Sequence, residues 1–130
     1  MTYPQEFLYT KDHEWIRVDE STGTIGITDY AQKELGDIVF VELPKPADHV
    51  TAGEPFGTVE SVKAVLEVYA PVSGEVTAAN PKLQSSPELL NADPHSEGWL
   101  IRVRLTDRRE TEKLMTSDEY EAYIKQEKTH

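Results

Sequence analysis

Cysteine is absent from this 130-residue chain. Its absence excludes disulfides, thiolate nucleophiles and cysteine-based metal sites together, so any thiol chemistry would have to come from an attached group. Long apolar runs are also missing, because no stretch approaches the roughly 18 residues that a membrane span needs. The first residues have neither the basic start nor the apolar run of a secretory signal. We therefore expect no membrane association. This start favours the bacterial cytoplasm over the mitochondrial matrix, which would apply to a processed organellar form.

Positive charge is scarce. The 13 Lys and Arg residues are outnumbered by 24 Asp and Glu residues, which gives a formal net charge of −11. Contacts with phosphates need clustered Lys and Arg, so this balance argues against binding to nucleic acid. Two interpretations stay open: partner proteins with basic docking surfaces, or acidity that only keeps a monomer soluble. The length fits one domain over 1–130.

Motifs for catalysis are also lacking. The histidines His13, His49, His95 and His130 are scattered without the spacing of a metal site. There is no G-x-S-x-G motif, no P-loop and no G-x-G-x-x-G motif, so neither a nucleophile elbow nor a nucleotide cradle has support. We therefore predict a protein that is not an enzyme. The alternative, an enzyme with an activity of its own, is supported only by scattered acids and histidines.

The chain does contain many short strand-like runs separated by glycine and proline. This pattern predicts a mainly β protein, a sandwich or small barrel with short helices at its edges. Ile38 to Leu43 is the most strand-like run. Thr28 or Asp29 is expected to cap a short helix through a side-chain oxygen, and Gly36 is expected to end it.

Further helices are predicted in the second half of the chain. The segment 85–90 is expected to start a one- or two-turn helix with Pro87 at its first position. Thr116 and Glu119 have the spacing of a capping box at the start of a last helix. The predicted divisions are a β core over about 7–106, a C-terminal helix over about 116–125 and a polar tail over 126–130.

Between residues 56 and 69 the pattern is ambiguous. Val59, Val62, Leu66 and Tyr69 have a spacing close to one face of a helix. The content of Val, Thr and Tyr instead favours strands, and no Asn-Gly or Asp-Gly pair marks a turn. Periodicity alone leaves both structures open.

One lysine in this stretch has distinctive surroundings. The run Glu60-Ser61-Val62-Lys63-Ala64, followed by the segment 67–76, closely resembles the lipoyl attachment segment of the glycine cleavage system H proteins. The resemblance spans nearly the whole chain in order. Its other blocks are His13-Glu14-Trp15, the segments 26–32 and 35–44, Ser86-Pro87-Glu88-Leu89-Leu90-Asn91 and Gly98-Trp99. Two other classes of carrier resemble this chain less closely. Biotinyl carriers have Met-Lys-Met at the hairpin tip and the lipoyl domains of dehydrogenases have Asp-Lys-Ala, whereas this chain has Val62-Lys63-Ala64.

The resemblance implies a lipoyl-type β-sandwich, a barrel-sandwich hybrid, with Lys63 at the tip of a tight hairpin. Lys63 would carry a covalently attached lipoate. Its neighbours would be read by a lipoate ligase or a lipoyl or octanoyl transferase, and acidic groups elsewhere would line a cleft in which the loaded arm rests. The recognition residues implied are Glu60, Val62 and Ala64, and the cleft residues are Glu14, Glu67 and, less strongly, Asp12.

The same resemblance implies a role for the carrier. It would take the aminomethyl group of glycine from the decarboxylase (P protein) to the aminomethyltransferase (T protein). Dihydrolipoyl dehydrogenase (L protein) would then reoxidise the arm.

A relay that hands lipoate to other proteins is an alternative with the same attachment chemistry. Glu14 as an exposed strand-edge acid and Glu67 as a solvated cross-strand residue also stay open. Leu66 and His95 depart from the family pattern.

Overall fold

The computed structural model describes residues 3–128. Its strands form two antiparallel sheets, one of six strands in the order β1-β2-β3-β9-β8-β5 and one of three in the order β4-β6-β7. The strands are β1 (Leu8–Tyr9), β2 (Glu14–Asp19), β3 (Thr22–Ile27), β4 (Ile38–Glu42), β5 (His49–Val50), β6 (Pro55–Ser61), β7 (Val65–Tyr69), β8 (Gly74–Ala79) and β9 (Ile101–Leu105). The helices are α1 (Asp29–Leu35), α2 (Lys82–Ser85), α3 (Leu89–Ala92) and α4 (Ser117–Lys128), with a 3-10 helix over Arg108–Lys113. The mainly β prediction is confirmed.

The main core lies between the two sheets. Strand β9 alternates inward and outward residues, so that Ile101 and Val103 are fully buried. Val59 and Val68 of the smaller sheet join the same apolar cluster. Burying each such side chain stabilises the fold by roughly 1.5–3 kcal/mol. The two sheets are therefore held together by side chains that alternation along each strand directs inward.

A second cluster, rich in aromatic rings, attaches α4 to the edge of the larger sheet. The rings of Tyr9 and Tyr120 stack with centroids 4.8 Å apart, and Phe7 stacks on Trp15 at 4.5 Å. Trp15 is buried and donates a hydrogen bond from Nε1 to the carbonyl of Pro94 at 3.0 Å. Trp15 therefore anchors this second cluster.

Most of the predicted helix boundaries agree with the structure. Thr28 caps α1 and accepts a hydrogen bond from the Ala31 amide at 3.2 Å, and Gly36 ends the helix with a φ of 79°. The capping box of α4 is present, since the Thr116 amide donates to Glu119 Oε1 at 2.8 Å and the Glu119 amide to Thr116 Oγ1 at 3.3 Å.

Two boundaries were predicted wrongly. Helix α4 continues to Lys128, so residues 126–128 are helical and not a tail; residues 129–130 lie outside the described residues. The helix expected to have Pro87 at its first position is α3, which starts two residues later at Leu89, and the short helix α2, which ends at Ser85, was not predicted. Asn80 explains the start of α2, because its side-chain oxygen accepts from the Lys82 amide at 3.1 Å.

Thr28→Val is expected to lower the free energy of unfolding by about 2 kcal/mol. Thr28 is fully buried, and besides its cap it shares a 2.7 Å hydrogen bond with the hydroxyl of Tyr120. The change therefore removes a cap and one of the two hydrogen-bond partners of the buried Tyr120 hydroxyl, which keeps its 2.8 Å contact with Nδ1 of His13. Urea denaturation would measure the loss.

Two matched variants separate these causes. Thr28→Ser keeps the hydroxyl and is expected to lose less than half as much stability. Thr116→Val removes an exposed cap of α4 and should cost about 1 kcal/mol. Equal losses for Thr28→Val and Thr116→Val would show that the buried link to Tyr120 contributes nothing.

Candidate functional site

The ambiguous segment folds as two paired strands. Strands β6 and β7 form an antiparallel hairpin whose last pair is Glu60 with Val65, and residues 62–64 form its exposed tip. Inward and outward residues alternate along both strands, with Val59 and Val68 buried. The helix-like spacing that includes Val62 has no counterpart in packing, because Val62 is 69% exposed.

A serine that sequence reasoning assigned no role closes the hairpin. The hydroxyl oxygen of Ser61 accepts from the amides of Lys63 at 3.2 Å and Ala64 at 3.1 Å. The Ser61 amide also donates to the Ala64 carbonyl at 2.8 Å. A serine just before a turn is the signal that could have revealed this, since its side chain replaces a backbone partner. Four backbone groups at the tip are thereby hydrogen-bonded without any glycine.

The tip is fastened to the junction between α1 and β4. The Val62 amide donates to the carbonyl of Asp37 at 3.0 Å. Asn91 organises the same bend, because its side chain accepts from the Ile38 amide at 2.9 Å and donates to the Gly36 carbonyl at 2.9 Å. A Cβ placed on Gly36 would lie 3.5 Å from Cε of Lys63. The stem of Lys63 therefore leaves the hairpin beside a helix end with a fixed geometry.

Lys63 itself is exposed. Within residues 3–128 its ammonium group makes no hydrogen bond and no ion pair, whereas Lys33 pairs with Asp29 and Lys82 with Glu97. The predicted recognition residues Glu60, Val62 and Ala64 are also exposed and surround it. An unpaired primary amine on a rigid tip has the geometry that acylation requires, and forming the amide removes its charge.

Glu14 lies below the surface at the other end of β7. It is 1% exposed, its Oε1 accepts from the Thr10 hydroxyl at 2.6 Å, and its Oε2 accepts from the Tyr69 amide at 3.0 Å. Burial raises the pKa of Glu14 to about 7, although both hydrogen bonds oppose that rise. The alternative of an exposed strand-edge acid is therefore wrong for this residue.

Two exposed carboxylates lie near Glu14. The hydroxyl of Tyr69 donates to Oε2 of Glu67 at 3.4 Å. The pKa of Tyr69 is raised first by the charge of Glu67 and further by the charges of Asp12 and Glu14. Of the three acids predicted to line a cleft, Glu14 and Glu67 are therefore hydrogen-bonded to Tyr69, and the charge of Asp12 acts on the same tyrosine. The five residues from Val65 to Tyr69 span about 13 Å at the usual rise of a strand.

The two departures from the family pattern have structural roles. Leu66 is half-buried and packs against the main core. His95 accepts a hydrogen bond at Nε2 from the Asp29 amide at 3.1 Å, which satisfies one of the free amides at the start of α1. Burial lowers the pKa of His95, so the neutral ring that accepts this bond is favoured.

Other classes of site find no support in the described part of the chain. Within residues 3–128, no group of three or more His, Cys, Asp or Glu side chains is placed to hold a metal ion. None of the helices over these residues is long and apolar enough to cross a membrane.

A sandwich of two sheets with an exposed lysine on a hairpin tip defines the structural class as a lipoyl-type β-sandwich. A family model described as Glycine cleavage H-protein matches residues 7–127. The chain belongs to this family, the lipoyl carriers of the glycine cleavage system.

Individual relatives agree along the whole length. The glycine cleavage system H protein of Halothermothrix orenii is 53% identical over 97% of this chain and 98% of its own. That of Acidobacterium capsulatum is 53% identical over 100% of both chains. A crystal structure of a glycine cleavage system H protein from Mycobacterium marinum superposes with a TM-score of 0.88 at 36% identity, covering 95% of this chain and 99% of that one.

Proposed function

We propose that the chain, acting as one carrier domain and without catalysis of its own, carries a lipoyl group on Lys63 in the glycine cleavage reaction. It takes the aminomethyl group of glycine from the decarboxylase to the aminomethyltransferase, and dihydrolipoyl dehydrogenase then reoxidises the arm. The observation that carries the proposal is the exposed, unpaired amine of Lys63 at the tip of a braced hairpin. The matched relatives are bacterial, and we place this function in a bacterial cytoplasm.

The residues of the hairpin present the lysine and keep it in place. Ser61 holds the turn through its hydroxyl, and the carbonyl of Asp37 holds the Val62 amide. The backbone of the tip is hydrogen-bonded, whereas the side chain of Lys63 has no polar partner within residues 3–128, so a modifying enzyme meets a braced backbone with an accessible amine. Tethering raises the effective concentration of the cargo at each docked partner. The attached group supplies the dithiol and disulfide chemistry that a chain without cysteine lacks.

The acids around Tyr69 suit the resting place of a loaded arm. An aminomethyl group carries a positive charge, and Glu67 and Asp12 are exposed carboxylates at this end of the hairpin. Glu14 lies below them with a pKa of about 7, so an approaching cation favours its ionised form. We assign Glu67 and Asp12 to direct attraction of the amine. Glu14 positions β7 through the Tyr69 amide and adds charge when a cation is near.

Intact mass spectrometry after incubation with lipoate, ATP and a lipoate ligase tests the attachment. One lipoyl group per chain is expected, and peptide mapping should place it on Lys63. The exposed lysines Lys11, Lys45 and Lys113 serve as internal controls and should remain unmodified. No gain in mass, under conditions where a known lipoyl domain is fully modified, would overturn the proposed function. Modification at any of the control lysines would overturn the assignment to Lys63.

A further inference from the structure

Large apolar side chains are exposed at only one place on the described surface. Across residues 3–128 they are Val39 at 49%, Phe40 at 52%, Val62 at 69% and Val65 at 65%. Single exposed apolar residues need no explanation, but a group gathered in one area marks a contact surface. All of them lie at the end of the three-stranded sheet that carries Lys63.

The strand register places the larger members side by side. Phe40 of β4 pairs with Glu60 of β6, and Glu60 pairs with Val65 of β7. Residues directly opposite one another in an antiparallel sheet have side chains on the same face. The outer face next to the hairpin tip therefore carries the row Phe40, Glu60, Val65, in which one carboxylate is flanked by two apolar groups.

A β-bulge creates the exposed pair in β4. The register between β4 and β6 shifts between Ile38 and Phe40, so one additional residue lies in β4. Ile38 and Val41 are buried while Val39 and Phe40, which follow one another, are both exposed. Regular alternation would direct one of these two inward. Bulges redirect side chains and are frequent beside functional sites.

We propose that Val39, Phe40, Val62 and Val65 form an apolar platform on which the enzyme that acylates Lys63 docks. The inference rests on the proposed function and adds a docking surface to its attachment site. The docking enzyme would present an apolar patch with a basic side chain opposite Glu60. Docking would bury the Glu60 carboxylate, and a buried carboxylate needs a charged partner.

Proximity distinguishes this enzyme from the other partners. It must bring an activated acyl group, a mixed anhydride with a nucleotide or a thioester, to Nζ of Lys63. Nζ forms a bond to the acyl carbon and loses a proton, while the bond to the phosphate oxygen or the thioester sulfur breaks and its electron pair leaves with that group. The surface of this enzyme must therefore come as close to the hairpin tip as the length of one lysine side chain. Partners that act on the far end of the longer lipoyl-lysine arm need no such approach.

The test compares Phe40→Ser/Val65→Thr with the unaltered chain as substrates of a lipoate ligase. The time course of intact mass gives kcat/KM for the modification. We expect a fall of about tenfold or more, carried mainly by KM, because central apolar contacts dominate the stability of an interface. Glu42→Gln is the control: Glu42 is exposed on the same face, one outward position farther from the tip, and should change kcat/KM less than twofold.

A second readout separates docking from reactivity. A small activated ester of octanoic acid acylates exposed lysines without a docked enzyme, so its rate at Lys63 should be equal in both chains. Equal ligase kinetics for the double variant and the unaltered chain would overturn the platform and leave the proposed function standing. If the ligase acylates neither chain, both the apolar platform and the proposed function are overturned.

Other occupants have their own signatures. If acylation is unchanged but the lipoylated double variant supports glycine decarboxylation poorly, the platform belongs to a cleavage partner and the inference is wrong. A dimer of the unaltered chain that the variant makes monomeric, with unchanged acylation, would assign the surface to a second copy of the chain and would also overturn it.

Discussion

Lys63→Arg is expected to leave the fold intact and to abolish carrier activity. Arginine keeps the positive charge, but its guanidinium group does not lose its proton at accessible pH and is not acylated. The side chain of Lys63 makes no hydrogen bond or ion pair within residues 3–128, so the free energy of unfolding should change by less than about 0.5 kcal/mol. Release of carbon dioxide from glycine should fall to the level seen without the chain.

The assay combines the lipoate-treated chain with purified decarboxylase, aminomethyltransferase and dihydrolipoyl dehydrogenase. Lys45→Arg makes the same chemical change at another exposed lysine and should keep full activity. Activity retained by Lys63→Arg would refute the carrier role of this lysine. If the unaltered chain is lipoylated yet supports no release of carbon dioxide, the attachment stands and the glycine cleavage role fails, as a lipoate relay would require.

Glu14→Gln is expected to stabilise the protein at pH 8 by as much as about 3 kcal/mol, from the rise in pKa from 4.5 to about 7. The folded state binds this proton more tightly than the unfolded state. The free energy of unfolding therefore falls as the pH rises from about 4.5 to about 7, as the buried carboxyl ionises. Glutamine stays neutral and removes this loss.

Glutamine keeps one of the two side-chain hydrogen bonds of Glu14. Its amide oxygen still accepts from the Tyr69 amide. Its amino group faces the Thr10 hydroxyl oxygen, which already accepts from the amides of Asp12 at 3.2 Å and Glu14 at 3.1 Å, so the gain at pH 8 falls short of the full value of about 3 kcal/mol. Below pH 4.5 the two proteins should have nearly equal stability, because the carboxyl is then protonated in both folded and unfolded chains.

Urea unfolding at intervals from pH 4 to pH 8 measures the difference between the two proteins. His13 and His95 contribute in the opposite direction, since burial lowers their pKa values and stability is lost as the pH falls below 6.5. They are present in both proteins, so the difference isolates Glu14. Glu67→Gln changes an exposed acid and should alter stability little at any pH. Parallel curves for Glu14→Gln and the unaltered chain would contradict the raised pKa.

Several features were predictable because they depend on residues close together in sequence. Caps are of this kind: Thr28 accepts from an amide three residues on, and Thr116 and Glu119 satisfy each other. The mainly β class followed from short strand-like runs between glycines and prolines. Lys63 as the candidate residue came from the resemblance of its segment to a family, and its exposure agrees with that prediction.

The sequence by itself determined the local elements, the family and the lysine, whereas pairing between distant segments decided the rest. Periodicity around Val62 left helix and hairpin open; the family resemblance implied the hairpin, and the register of β6 against β7 confirms it. Glu14 became buried because β2 packs against the amide of Tyr69, 55 residues away. Phe40 turns outward only because a bulge forms against β6. Burial and pKa are properties of the neighbours that a fold assembles, and these neighbours are not adjacent in the chain.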